Sequence, residues 1–294
     1  MYINNNSMAT NVSNTLTKHY SDLKTSTQRL STGLRVNSAA DDAAGLAIRE
    51  LMRTDISALQ QGVRNANDAI SLLQTADGAL GIIDEKLTRM KELAEQASTG
   101  TYDSTQRLMI ESEYQAMASE ITRIANATDF NGIHLLNGNL SSSTHDGSGM
   151  TSTGKMKVHF GSANDSAEDY YYIQIGTSTA SALGVGNEAT GTDGVTISTQ
   201  EAAQKALVAV TNAVVSKDKI RAHLGALQNR LENTVSNLTT QAENLQAAES
   251  RISDVDVATE MTKFVRNQIL TQSSVAMLSQ ANSMPKMAMQ LIQG

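Results

Sequence analysis

A few groups of residues in this 294-residue sequence have types and spacings that could support chemistry. Gly149-Met-Thr-Ser-Thr-Gly154-Lys155 fits the opening of a phosphate-binding loop, where backbone N–H groups cradle phosphates and a lysine reaches them. The next position must be Ser or Thr to hold Mg²⁺, and here it is Met156. No buried strand precedes the stretch, so it reads as a Gly/Ser loop. His19, His134, His145, His159 and His223 are scattered, without a His-x-x-x-His pair or His-Glu-x-x-His, so the zinc-hydrolase pattern is missing. Asp41-Asp42, and Asp254 with Asp256, could act as paired carboxylates, but each pair precedes a helix, where negative charge complements the dipole. They read as caps. The absence of Cys excludes disulfides, thiolate metal sites and cysteine nucleophiles. The sequence therefore predicts no enzyme, no cofactor and no metal centre.

Composition points to helix packing instead. The chain carries 23 Lys+Arg against 30 Asp+Glu, a net charge of −7, which argues against nucleic acid as a partner because phosphate neutralisation needs clustered cations. Hydrophobic residues make up 40%, enough for a folded chain, while aromatics are only 3% and there is one Pro. The apolar content is mostly Ala, Leu, Ile, Val and 13 Met, which suit helix interfaces. Met1 to Asp22 has neither the apolar run of a cleavable signal, and no stretch approaches the roughly 20 residues of a membrane span.

Two long segments keep apolar residues at alternating steps of four and three. One runs through Met52, Ile56, Leu59, Val63, Ala66, Ile70 and Leu73, then Leu80, Ile83, Leu87, Met90, Ala94 and Ala97, with Asp77 interrupting it. The other runs through Ile220, Leu224, Leu227, Leu231, Leu238, Leu245, Ala248, Ile252 and Val255, with Thr234 and Gln241 at the two polar steps. Such spacing predicts helices packed nearly parallel, as in a coiled coil. At ~1.5 Å per residue, a helix over 44–98 is roughly 80 Å long, a rod. A third helix is expected from Ser104, as N-cap, to Ala127, after a stop at Gly100. Asn131-Gly132 predicts a tight turn, Lys157–Phe160 and Tyr170–Ile175 short strands, and Ser141–Gly154 an exposed loop. Each chain end places apolar residues on a helical stripe: Val12, Leu16, Tyr20, Leu23, Leu30 and Leu34 in one, and Met261, Val265, Ile269, Val275, Leu278, Ala281, Met287 and Leu291 in the other. Neither is stable alone, so the stripes need each other or copies in neighbouring molecules. The fold class is mainly α: a long antiparallel helical rod or coiled coil formed by both chain ends, with a small β-hairpin-rich insertion.

Leu30-Ser-Thr-Gly-Leu-Arg-Val-Asn-Ser-Ala-Ala-Asp-Asp-Ala-Ala-Gly-Leu-Ala-Ile48 closely resembles the amino-terminal signature of bacterial flagellin. Ser250-Arg-Ile-Ser-Asp-Val-Asp-Val-Ala-Thr-Glu-Met261 resembles its carboxy-terminal partner, continued by Ile269-Leu-Thr-Gln and Ala276-Met-Leu-Ser-Gln-Ala-Asn282. Asp129-Phe-Asn-Gly132 and Ile173-Gln-Ile-Gly176 are similar to the family's hairpin region. The resemblance implies an inner terminal coiled-coil domain of 1–42 with 254–294, a helical rod domain of 43–138 with 199–253, and a hairpin and loop insertion at 139–198 belonging to the rod. No large outer domain is expected in that insertion.

The resemblance also implies a function: a secreted structural subunit that polymerises with itself into the filament that propels swimming, outside the cell. Leu16, Leu23, Leu30, Leu34, Val265, Ile269, Leu278 and Leu291 are the expected polymerisation residues. Implied partners are hook–filament junction proteins, the filament cap, the flagellar export apparatus and an export chaperone at the C-terminal helix. Neither nucleic acid nor a membrane is expected. In receptor-activating members an Arg, a Leu and a Glu contact a vertebrate Toll-like receptor, and the matching positions here are Arg89, Leu93 and Glu113. Glu95 departs from the family's usual small apolar residue beside that patch. The nearest alternative is a hook–filament junction protein, which shares similar ends. Ser141–Thr144 and Thr151–Thr153 are candidate O-glycosylation positions.

Overall fold

The computed structural model describes residues 6–146, 153–165, 168–186 and 195–293. In chain order these form helix α1 (Ser7–Thr32), α2 (Ala43–Ser98), α3 (Ser104–Ala127), strands β1 (Asp129–Phe130), β2 (Ile133–His134), β3 (His145–Asp146), β4 (Thr153–Gly154), β5 (Met156–His159) and β6 (Tyr170–Ile173), then α4 (Ala180–Leu183), α5 (Gln200–Ser253) and α6 (Val257–Gln293). The strands pair antiparallel as β1–β2, β3–β4 and β5–β6. The chain divides into two compact units, Met1–Ile56 with Glu243–Gly294, and Ser57–Ala242.

In the second unit the long helices bury an aliphatic core. Leu73, Leu80, Ile83, Leu87 and Met90 of α2, Tyr114 and Ile121 of α3, and Val210, Leu224 and Leu231 of α5 are all buried. Burial on α5 follows steps of three and four through Ala203, Ala206, Val210, Ala213, Lys217, half-buried Ile220, Leu224, Leu227 and Leu231, so the heptad pattern begins well before Ile220. Sequence reasoning missed this because Lys217 interrupts the apolar run. Its ammonium pairs with Asp84 of α2 and, at 2.8 Å, with Asp218. Burial works against that charge, but the hydrogen bonds to Asp218 and Asp84 outweigh it and raise the lysine above its ordinary value. The interruption at Asp77 has the same origin: Arg221 Nε of α5 donates to its Oδ1 at 2.7 Å.

Helix ends are held by side chains. The N-cap of α3 is Asp103, one residue before the expected Ser104, and it forms a capping box with Gln106. Arg107 reaches back to the end of α2, donating to the carbonyls of Ala97 at 3.0 Å and Thr99 at 2.9 Å. Asn131 (φ 52°) and Gly132 (φ 79°) both adopt positive φ, which closes the β1–β2 hairpin as the Asn-Gly pair predicted. The β5–β6 hairpin, in register from Met156 opposite Ile173 to His159 opposite Tyr170, docks one face on the helices. Asn65 Nδ2 of α2 donates to the His159 carbonyl at 2.8 Å, and the Arg230 guanidinium of α5 lies 3.6 Å over the Tyr171 ring. A Cβ at Gly62 would collide with the Phe160 carbonyl, so only glycine admits this approach. Gly149–Ser152, the opening of the phosphate-loop-like stretch, and Thr151 and Ser152 among the candidate glycosylation positions, lie outside the described residues.

In the first unit α1 and α6 pack antiparallel, with Ser26 beside Glu260 near one end and Asn6 beside Ala281 at the other. The expected boundaries at 42/43 and 253/254 fall where α2 begins and α5 ends. The compact unit reaches further into both helices, and there Arg53 of α2 pairs with Glu249 of α5 at 3.5 Å.

Candidate functional site

The α1–α6 pair has a heptad seam on each helix. On α1 it runs through the half-buried or buried Ala9, Val12, Leu16, His19, Leu23, Ser26 and Leu30, and on α6 through Glu260, Phe264, Asn267, Thr271, Ser274, Leu278 and Ala281. Steps of three and four are what two supercoiling helices require. The α6 seam is therefore largely polar. Met261, Val265, Ile269 and Val275, which the apolar spacing placed on its stripe, are exposed, as are Val257 and Met277. Tyr20, placed on the α1 stripe from sequence, is 53% exposed, and His19 takes the seam position. The expected polymerisation residues thus separate: Leu16, Leu23, Leu30, Leu34 and Leu278 are half-buried, while Val265 and Ile269 face solvent. The side chain of Leu291 lies outside the described residues.

Two contacts close the ends of this pair. Pro285 within α6 has no N–H to give the carbonyl four residues earlier, which is that of Ala281. Asn6 Nδ2 donates to it instead at 2.9 Å, while the Asn6 Oδ1 caps α1 by accepting from Ala9 N at 3.0 Å. At the other end Gly33, in the left-handed conformation, ends α1. The chain then forms a β-bridge from Leu34 to Asp254, with Arg35 N donating to Ser253 O at 2.6 Å and Val255 N to Gly33 O at 3.0 Å. Arg49, buried in α2, donates from Nη1 to the Val36 carbonyl at 2.8 Å. The four aspartates near these ends divide their work. Asp42 caps α2 through Gly45 N at 2.8 Å, and Asp256 caps α6 through Ala258 N at 3.0 Å. Asp41 instead holds the turn through Ser38 N and Oγ, each at 3.0 Å, and Asp254 accepts from Ser250 Oγ at 2.6 Å.

Between the two helices runs a groove of about 280 Å³, lined by Asn11, Val12 and Thr15 of α1 and by Leu270, Ser273 and Met277 of α6. Among the described residues no group of three or more His, Cys, Asp or Glu is placed to hold a metal ion, and no helix is long and apolar enough to cross a membrane.

The second candidate surface lies on α2 and α3 of the other unit. Arg89 donates from Nη2 to Glu113 Oε1 at 2.8 Å and from Nη1 to Glu92 Oε2 at 2.9 Å. The Glu113 hydrogen bond, then that to Glu92, raises the guanidinium above its ordinary value. Both Arg89 and Glu113 remain about half exposed. Leu93 does not join them at the surface. It is 1% exposed, because it continues the buried face of α2 between Met90 and Ala97.

The comparisons with known proteins agree with this architecture. Residues 3–141 match the bacterial flagellin N-terminal helical region and residues 207–292 the bacterial flagellin C-terminal helical region. The chain is 41% identical over 293 residues to the flagellar filament core protein flaB2 of Brachyspira hyodysenteriae, covering 100% of both. It is likewise 41% identical over 310 residues to the flagellin of Bacillus subtilis, covering 99% of this chain and 100% of that protein. Among solved structures, a putative flagellar hook-associated protein from Vibrio parahaemolyticus shares the fold at a TM-score of 0.55 and 14% identity, covering 73% of this chain and 100% of that one. Full-length identity of this order, together with the match of both helical regions, places the chain in the bacterial flagellin family.

Proposed function

We propose that this chain is a structural subunit of the flagellar filament and that it assembles with copies of itself through the outward faces of α1 and α6. The observation that carries the reading is the inversion on α6, where Glu260, Asn267, Thr271 and Ser274 occupy the seam while Val257, Met261, Val265 and Ile269 face solvent. An exposed apolar row of this size marks an interaction surface. Each Val, Ile or Met buried on assembly contributes about 1.5–3 kcal/mol, and a heterologous contact that does not close generates an open filament. Residues 1–42 with 254–294 serve as the assembling domain, 43–138 with 199–253 as the helical support, and 139–198 as its hairpin insertion. The same exposed face of α6 suits an export chaperone before assembly, and junction and cap proteins at the filament ends. The test is seeded polymerisation of purified chain followed by electron microscopy. Long filaments that regrow on seeds are expected, whereas binding only at hook ends would hand the function to the junction-protein reading.

A second activity, recognition by the vertebrate flagellin-sensing Toll-like receptor, is supported by the solvent-facing Arg89–Glu113 pair. Arg89 and Glu113 offer the contact, and Leu93 holds their helix from beneath. A reporter-cell assay with monomeric chain is expected to give a signal, and silence would remove this role.

A further inference from the structure

The sequence has no Cys and no Trp but 13 Met, so a two-electron oxidant such as a peroxide meets thioethers as its softest target. Reaction at a thioether needs access to the sulfur, and access differs along the chain. Met90 is fully enclosed in the core beneath α2, and Met117 and Met156 are half-buried. Met8 of α1 and Met261, Met277 and Met287 of α6 are instead each between 44% and 57% exposed. Outside these two helices, Met109 of α3 is the remaining exposed methionine among the described residues. Met261 lies one turn from Val257 and one turn from Val265, so it belongs to the exposed apolar row of α6. Val and Ile are inert to peroxide, which confines the reactivity of that row to its sulfur.

We propose that Met8, Met261, Met277 and Met287 are a modification site for peroxide-class oxidants, and that their oxidation withdraws the free chain from assembly. The inference rests on the assembly role proposed above for the outward faces of α1 and α6. In the reaction a sulfur lone pair attacks one oxygen of hydrogen peroxide. The S–O bond forms as the O–O bond breaks, a proton passes from the transferred oxygen to the departing one, and water leaves. Sulfur gives up two electrons and the peroxide takes them. The sulfoxide keeps the length of methionine but is polar, with a strong acceptor oxygen. Covered by a Val or Ile of a neighbouring copy, that oxygen goes unpaired, so a contact that gained by burial now carries an unsatisfied polar group. The step is reversible, because methionine sulfoxide reductases restore the thioether. Assembly covers the same sulfurs, so oxidant acts on subunits still to be assembled and spares those already in place.

The test treats the free full chain with hydrogen peroxide at neutral pH and maps sulfoxides by peptide mass spectrometry. Growth on untreated seeds is then measured by sedimentation. Met8, Met109, Met261, Met277 and Met287 are expected to convert while Met90 stays reduced. The concentration of chain needed for growth should rise roughly tenfold or more, the factor carried by burial of one methionine. Methionine sulfoxide reductases for both sulfoxide epimers should return it to the untreated value. Met8→Leu, Met261→Leu, Met277→Leu and Met287→Leu combined, with Met109 kept, should respond to peroxide far less than wild type, each chain compared with its own untreated control. In filaments treated after assembly, Met261 and Met277 should convert more slowly than in free chain. Chain that carries all four sulfoxides yet grows like untreated chain overturns the inference, as does an equal loss in the Leu variant or a loss that the reductases do not reverse. If the Leu variant does not grow untreated, Met261→Gln decides without oxidant, and growth equal to wild type overturns the claim. Equal conversion in filaments and free chain overturns the protection. Untreated wild type that forms no filaments removes the assembly reading itself, and this inference with it.

Discussion

The two packed seams in this molecule are built on one heptad rule and filled with different chemistry. In the unit of Ser57–Ala242 the seam of α2 places Leu80, Ile83, Leu87 and Met90 in complete burial, and its polar exceptions, Asp77 and Asp84, meet Arg221 and Lys217 from α5. In the α1–α6 pair most seam leucines are only half-buried, polar residues hold the seam on α6, and apolar side chains stand outside. Burying apolar area drives folding, so the first arrangement supports itself while the second leaves much of its driving force unused until something covers it. A subunit that must be stable before assembly and associate afterwards needs both.

The largest expected effect separates the two regions outright. Removing 254–294 should abolish polymerisation while leaving the melting of the 57–242 unit unchanged; filaments from that truncation would show that the exposed face of α6 is dispensable. Next, Leu87→Ala should destabilise the chain by about 2–5 kcal/mol in denaturant titrations, as full burial without slack predicts. Leu16→Ala, at a half-buried position, should cost the monomer far less and instead raise the concentration needed to polymerise, measured by sedimentation. If Leu16→Ala destabilises the monomer as much as Leu87→Ala, the contrast fails.

Smaller effects sharpen the contrast. Gly62→Ala should undock the β5–β6 hairpin, seen as faster hydrogen exchange at Met156–His159 and Tyr170–Ile173, because the added Cβ meets backbone that cannot move aside. Lys217→Met should change neutral-pH stability by no more than about 2 kcal/mol, since a buried ion pair often contributes little against an apolar replacement. The raised pKa of Lys217 means its pairing is fully present below the ordinary 10.5 and fades only as pH rises through the raised value. Alkaline melting should therefore differ between wild type and Lys217→Met. Arg89→Ala should leave melting unchanged, because its ion pairs are solvent-exposed, while reducing receptor signalling.

Much of this was readable in the sequence. Apolar spacing located α2, which begins at Ala43, and α3, which ends at Ala127, and the positive-φ turn was written in Asn131-Gly132. What was not legible has one cause. Sequence periodicity follows apolar residues, and where polar residues occupy a seam the eye follows the wrong face. Tyr20 and Val265 looked like seam residues for that reason, and Lys217 concealed the first turns of the α5 pattern. Steps of three and four fit every face of a helix, so it is the packing against α1 that selects Glu260, Phe264, Asn267, Thr271, Ser274, Leu278 and Ala281. At the candidate receptor surface the residue types were legible, but the burial of Leu93 depends on what packs against α2 and had no local signal.

The bond from Asn6 to Ala281 spans 275 positions of chain. A ribosome makes its donor first and its acceptor only when everything between has been made. Throughout that interval α1 has no lasting partner, and helices without partners in water are marginal. The closing of this pair is therefore a clock: it can strike only after Ala281 has been made, so every copy that has not reached it keeps α1 open.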